Sequence, residues 1–88
     1  MAESSADRLI AARACALFAS DLSSRCSPGE AAVAAAIAGA VRAHGGTRGC
    51  AGQVGAAYGE CQETAADRMR WALRVIGTVY PRRRSHAA

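Results

Sequence analysis

Four cysteines and one internal histidine are the residues that could ligate a metal ion. Cys15 and Cys26 are separated by eleven positions, and so are Cys50 and Cys61. Structural zinc sites usually take a ligand pair from a short turn such as C-x2-C, and the chain has no such pair; His44 is the only nearby imidazole. We therefore expect small core residues or free thiols and predict no metal and no cofactor.

Catalysis needs a nucleophile and a base held together, and the sequence offers little for this. The second histidine, His86, lies in the predicted tail, and Glu60 and Glu63 flank a turn where water solvates them. A cysteine hydrolase built on Cys50 and His44 is the nearest enzymatic alternative. The prediction is a protein that is not an enzyme and has no small-molecule substrate.

The only tryptophan, Trp71, is the strongest indication of a binding surface. Arg70 precedes it and Arg74 follows it by three positions, and Trp and Arg are enriched among the contacts that dominate protein interfaces. A helical wheel places Trp71 on the polar face of the last helix, so helix one, a second chain or a ligand must cover it. We predict an interface at Arg70, Trp71 and Arg74 for a protein partner or a homodimer; cover by helix one, through Leu9 and Phe18, is the alternative.

DNA binding is an alternative of a different class. The C-terminal half is typical of a helix, a glycine-containing turn and a second helix, whose start would enter the major groove. Glu63 and Asp67 lie at the start of this second helix, and the DNA phosphates would repel both carboxylates. The residues that would contact DNA are Gln62, Arg68, Arg70 and Arg74.

Composition indicates one small helical domain. Of the 88 residues, 51% are hydrophobic and only 5% are aromatic, and alanine dominates the hydrophobic class, which favours helix over sheet. The net charge of +4 includes Arg82, Arg83 and Arg84, so the folded part is nearly neutral. We expect a single helical domain over 1–80 and a basic disordered tail over 81–88 that adds non-specific attraction.

The N-terminal sequence does not read as a secretory signal. Glu3, Asp7 and Arg8 are charged, and Arg13 interrupts the apolar stretch that follows. No stretch approaches the length of a membrane span. We expect a cytoplasmic protein with no membrane association.

Local patterns predict four helices. Helix one should begin behind Ser4 or Ser5 and end near Leu22. The segment 27–30 (SPGE) combines a capping box with proline at the first helical position of helix two, which the Gly45–Gly46 pair should end.

Thr47 is predicted to cap helix three. Glycines at 49, 52 and 55 weaken this helix, so we expect it to depend on close packing against a neighbour. Helix four should begin at Glu63 or Thr64 and end at Tyr80, before Pro81. Its predicted inner face consists of Ala65, Met69, Ala72, Leu73, Ile76 and Val79.

Two segments carry a resemblance to known proteins. ARACALFASDL (12–22) and AHGGTRGCAGQVGAAYGECQETAADRMRWALRV (43–75) resemble short uncharacterised all-helical proteins of high-GC actinobacteria, which implies a small cytosolic helical protein. GQVGAAYGECQETAADRMR (52–70) is also similar to the helix-turn-helix of bacterial regulators, with Gly59 as the turn glycine. It departs from that pattern at Gly55, which replaces the usual alanine, and at Arg68, which falls at a normally apolar position.

These observations predict an all-α fold with four helices in one compact domain, the last two arranged like a helix-turn-helix. The predicted function is a small non-enzymatic interaction module that contacts a protein partner or a second copy through helix four. A helix-turn-helix DNA-binding protein involved in transcription regulation is the alternative.

Overall fold

A computed structural model describes residues 5–81. The chain forms four α-helices in this range, namely α1 (Ser5–Phe18), α2 (Glu30–His44), α3 (Thr47–Glu60) and α4 (Gln62–Val79). Residues 5–81 contain no strand. The predicted all-α, four-helix domain is confirmed, whereas the predicted tail lies outside the described residues from position 82 onward.

The first helix ends earlier than predicted, at Phe18 instead of near Leu22. The Ser20 hydroxyl donates a hydrogen bond of 2.6 Å to the Leu17 carbonyl and accepts one of 3.2 Å from the Leu22 amide. A serine side chain that bonds nearby backbone groups competes with helical hydrogen bonding. Residues 19–29, called the link below, therefore connect α1 to α2 without helix.

The second helix begins without the predicted capping box. Gly29 is its N-cap residue in an extended conformation, and no side chain bonds the first amides, so Ser27 does not act as the cap. Pro28 precedes the helix instead of occupying its first position. Ser27 lies two residues before the N-cap, whereas a capping side chain belongs to the N-cap residue itself.

The Gly45–Gly46 pair ends α2, as predicted. Gly45 adopts φ 77°, a left-handed conformation that glycine accepts without a Cβ penalty, and the Gly46 amide donates a 2.8 Å hydrogen bond to the Val41 carbonyl. Gly46, at φ 102°, is the N-cap residue of α3. Thr47 is consequently the first helical residue and not the predicted cap.

The glycines of α3 have different surroundings. A Cβ at Gly49 would overlap the backbone carbonyl oxygen of His44, so glycine is needed where α2 turns into α3. A Cβ at Gly52 or Gly55 would meet nothing within 4 Å. The helix packs against α1, α2 and α4, and a steric need for glycine exists at Gly49 but not at Gly52 or Gly55.

A single residue separates α3 from α4. Cys61 is extended, at φ −155° and ψ 101°. Its amide donates the last hydrogen bond of α3, to the Ala57 carbonyl, and its carbonyl accepts the first hydrogen bond of α4, from the Ala65 amide. Gly59 lies inside α3, and its φ is not positive. The predicted turn at Gly59 is therefore wrong, because helical hydrogen bonding continues past it to Cys61.

The first helix packs against the other three helices. It runs antiparallel to α4, because Arg13 lies over the Tyr80 ring at 3.9 Å while the Phe18 carbonyl, at the other end of α1, meets Arg68. The main core joins α1, α2 and α4. Its buried members are Ala14, Leu17, Val33, Trp71, Ala72, Val75 and Ile76.

A second, smaller core lies between α1, α2 and α3. Cys50 is buried there with Ala16 and Ala40, and Cys15 packs at its side. Burial raises the pKa of both thiols. All four cysteines of the chain are free in the structure.

Two substitutions in α3 test its glycines. Gly52→Ala should raise the free energy of unfolding by about 0.5 to 1 kcal/mol, because alanine loses less backbone entropy and meets no neighbour. Gly49→Ala should lower it by about 1 to 3 kcal/mol, because the new methyl group displaces the His44 carbonyl. Urea unfolding followed by circular dichroism measures both free energies. Equal effects of the same sign would contradict the close approach of Gly49 to the His44 carbonyl.

Candidate functional site

The predicted inner face of α4 is confirmed for Ala65, Ala72 and Ile76, and Met69 and Val79 pack against the core. The prediction is wrong in facing Leu73 inward and in leaving out Trp71. The Trp71 side chain is 3% exposed, whereas Leu73, which was predicted to face inward, is 44% exposed. The buried side of α4 extends through Ala72 and Val75 to Trp71. The indole Nε1–H donates a 2.9 Å hydrogen bond to the Cys26 carbonyl, which allows the ring to be buried with its polar atom paired.

Arg68 lies one helical turn before Trp71 and points into the domain. Its guanidinium donates hydrogen bonds to the Phe18 carbonyl (2.8 Å), the Ser20 carbonyl (3.0 Å) and the Ser24 hydroxyl (2.7 Å). The guanidinium carbon lies 4.9 Å from the centre of the Trp71 ring, within cation–π distance. One side chain of α4 thereby binds the last carbonyl of α1 and two groups of the link, and so holds the link in place. Burial lowers the pKa of Arg68.

The link and α4 enclose a groove, called the link groove below. Trp71 and Val75 are its buried members, and its volume of about 370 Å³ is enough for one or two side chains of a ligand. The lining residues are Ser24, Arg25, Cys26, Ser27, Pro28, Trp71, Arg74, Val75 and Thr78.

The link groove carries positive charge without a counter-charge. Arg25 on the link and Arg74 on α4 are exposed, and within residues 5–81 neither guanidinium has a hydrogen-bond, ion-pair or ring partner. No Asp or Glu is among the lining residues. Two unpartnered guanidiniums beside the buried side chains of Trp71 and Val75 can hold an anion through charge-assisted hydrogen bonds.

The structure separates the residues of the predicted interface. Arg74 lines the link groove and Trp71 forms part of its buried floor, but Arg70 lies outside it, exposed and paired with Asp67. Sequence reasoning missed Arg25. The segment around it has no periodic pattern, and only the folded link brings it to the same groove as Arg74.

The residues of the DNA alternative do not form one free surface either. Gln62 is exposed at the start of α4, where Glu63 is exposed as well. Arg68 uses its guanidinium inside the domain, and Arg70 is paired with an acid of the same helix. Arg74 is the one arginine of the set that has no partner among the described residues.

Cys61 differs from the other thiols. It is the exposed N-cap residue of α4, and its sulfur lies 3.2 Å from the Thr64 hydroxyl oxygen. Hydrogen bonds from Thr64, and a weaker one from the Glu63 amide, lower the pKa of the Cys61 thiol. Within residues 5–81, no three His, Cys, Asp or Glu side chains lie close enough together to hold a metal ion.

Substitution of Arg68 tests its role in holding the link. Arg68→Met should lower the free energy of unfolding by about 2 to 3 kcal/mol, because two carbonyls and a hydroxyl lose a charged donor. Arg70→Met, which removes one exposed ion pair on the same helix, should change it by less than about 0.5 kcal/mol. Urea unfolding of both variants measures the difference, and similar losses would contradict the assignment.

Thiol alkylation tests the environment of Cys61. At neutral pH this thiol should react before Cys15 and Cys50, because its lowered pKa leaves more thiolate and its side chain is exposed. Thr64→Val should shift the pH profile of the Cys61 rate to higher pH, since the stabilising hydroxyl is lost. Mass spectrometry after brief exposure to iodoacetamide gives the rates, and an unchanged profile in Thr64→Val would refute the role of this hydroxyl.

No helix in the described part of the chain has the length and apolar character that crossing a membrane requires. No protein family, curated protein or solved structure matches the chain. Its function is therefore inferred from the link groove and the residues around it.

Proposed function

We propose that the protein is a small non-enzymatic helical interaction module whose link groove binds an acidic segment of a partner protein. The observation that carries this proposal is the pair of guanidiniums, Arg25 and Arg74, which have no partner within residues 5–81 and line a groove to which this part of the chain contributes no carboxylate. Complementary charge across an interface gives specificity and speeds association.

The floor of the link groove supports the same function. Trp71 and Val75 are buried beneath the two arginines, and Pro28 adds a rigid apolar edge. An acidic side chain bound there is partly shielded from water, which strengthens its interaction with Arg25 and Arg74. Arg74 thus keeps the binding role expected from the sequence, while Trp71 acts as part of the floor.

Self-association is not favoured by a specific contact. The argument for a homodimer depended on an exposed Trp71, which the link and α1 cover within one chain. Among residues 5–81, the large apolar side chains that remain exposed are Leu9 (48%) and Leu73 (44%), on different helices. We therefore propose a partner of different sequence, and a monomer in its absence.

DNA binding has less support than an acidic partner. It needs Arg68 and Arg70 on phosphates, and both guanidiniums are engaged within the chain. A location in the cytosol belongs to the same proposal and fits four free thiols. The arginines at 82–84, which lie outside the described residues, would add non-specific attraction.

Titration of the full chain with labelled peptides tests this function. A short glutamate-rich peptide should bind, and a peptide with glutamine at the same positions should not. Arg25→Gln and Arg74→Gln should each weaken binding by about tenfold or more, the effect of removing a charge-assisted hydrogen bond. Both side chains are exposed, so the variants should fold normally.

Arg48→Gln is the matched control, because Arg48 is exposed and lies outside the link groove. It should leave peptide affinity within about twofold, the range of a remote surface charge. Equal losses in all three variants, or loss only when residues 82–88 are deleted, would show non-specific attraction instead of a site. Binding to duplex DNA that exceeds binding to the acidic peptide would favour the alternative.

A further inference from the structure

We infer that the anion recognised in the link groove is a phosphoryl group on a serine or threonine of the partner segment. The inference rests on the proposed function and specifies its ligand. It follows from the charge of the groove, from the hydrogen-bond donors that line it and from the way Arg68 is bound beside it.

The charge of the groove matches a dianion. Arg25 and Arg74 contribute two positive charges that no described residue neutralises. A phosphorylated serine or threonine carries a charge of about −1.5 to −2 at pH 7, whereas glutamate or aspartate carries a single charge. One carboxylate would therefore balance one of the two positive charges, whereas one phosphoryl group balances nearly both.

A third positive charge lies beside the groove. Arg68 binds two carbonyls and a hydroxyl, which are neutral acceptors, and no carboxylate is among its hydrogen-bond partners within residues 5–81. The charge of Arg68 is thus bound but not neutralised. Because this side chain is partly buried, water screens its field less than it screens an exposed arginine.

The hydroxyl groups of the groove add donors. The Ser24 oxygen accepts a hydrogen bond from Arg68, so its own hydrogen is available to a ligand. Ser27 and Thr78 also line the groove, and neither hydroxyl has a partner among the described residues. Guanidiniums and hydroxyls that line one groove supply the kind of donors that the three terminal oxygens of a phosphoryl group accept.

Other donors at the groove are already used. The Trp71 Nε1–H donates to the Cys26 carbonyl, and the Cys26 thiol lies 3.1 Å from the Ser23 carbonyl, to which it donates. The floor formed by Trp71 and Val75 is apolar and buried, so it contributes no hydrogen-bond donor to a ligand. The ligand is held by the rim and not by the floor.

Three peptides of one sequence test this inference on the full chain. They carry phosphoserine, glutamate or serine at the central position, and each has a fluorescent label for anisotropy measurements. The phosphoserine peptide should bind at least about tenfold more tightly than the glutamate peptide, as expected for a second charge-assisted contact. Inorganic phosphate should displace it, and acetate at the same concentration and ionic strength should not.

The variants locate the site. Arg25→Gln and Arg74→Gln should remove the preference for phosphoserine over glutamate, and Thr78→Val should reduce it while Arg48→Gln keeps it. Arg74→Lys, which retains the charge but loses the planar fork, should also lower the preference. A preference that survives both glutamine variants would overturn the site.

The pH dependence distinguishes the two anions. Arg25, Cys26 and Arg74 are the titratable or charged residues that line the groove, with Arg68 beside it. A phosphate monoester loses its second charge below a pKa of about 6, so affinity for the phosphoserine peptide should fall from pH 7.5 to about 5.5, while affinity for the glutamate peptide stays nearly constant.

The outcomes separate this inference from the function on which it rests. Equal affinity for the phosphoserine and glutamate peptides would overturn the phosphoryl group and leave the acidic-partner function standing. Absence of binding to both peptides would overturn the two together. Preference for phosphoserine that is lost in Arg25→Gln and Arg74→Gln supports both.

Discussion

The position of the Arg68 guanidinium determines how the link, α1 and α4 fit together. It binds the last carbonyl of α1, a carbonyl of the link and a hydroxyl of the link, so three parts of the chain meet at one side chain of α4. A buried or half-buried cation is tolerated only where its hydrogen-bond donors are matched. Any rotation of α4 or shift of the link would break this match, which is why a link without helix can keep a defined path across the surface of α4.

Trp71 depends on the same arrangement. Arg68 lies over the indole ring, and the link that Arg68 holds supplies the Cys26 carbonyl for the indole nitrogen. The largest side chain of the protein is thereby buried on the side of α4 that a hydrophobicity pattern assigns to solvent. The link groove follows directly, because a link fixed above Trp71 leaves a depression between itself and the exposed turn of α4 that carries Arg74.

The local elements of the fold could be predicted from the sequence, and the site could be predicted only in part. The Gly45–Gly46 stop and the end of α4 before Pro81 depend on the conformational limits of single residues, so they are visible in the sequence. The burial of Trp71 in place of Leu73 is not visible there, because the indole is paired with a carbonyl 45 positions away in the sequence. Arg68 stood out as a charged residue at a normally apolar position, which was the one signal of its inward orientation. No sequence pattern indicated a role for Arg25, because the folded link is what brings it to the same groove as Arg74.

The unneutralised charge has a consequence for stability as well as for binding. Three guanidiniums lie at or beside the link groove without a carboxylate, and their mutual repulsion acts against the folded position of the link. A bound anion removes that repulsion and therefore stabilises the link and the end of α1 together with the complex. Ligand that binds only the folded chain raises stability in proportion to the logarithm of its concentration above Kd. Arg68 and Trp71 hold the same segment that carries Arg25. Binding of an anion by Arg25 and stabilisation of the link would therefore be thermodynamically coupled.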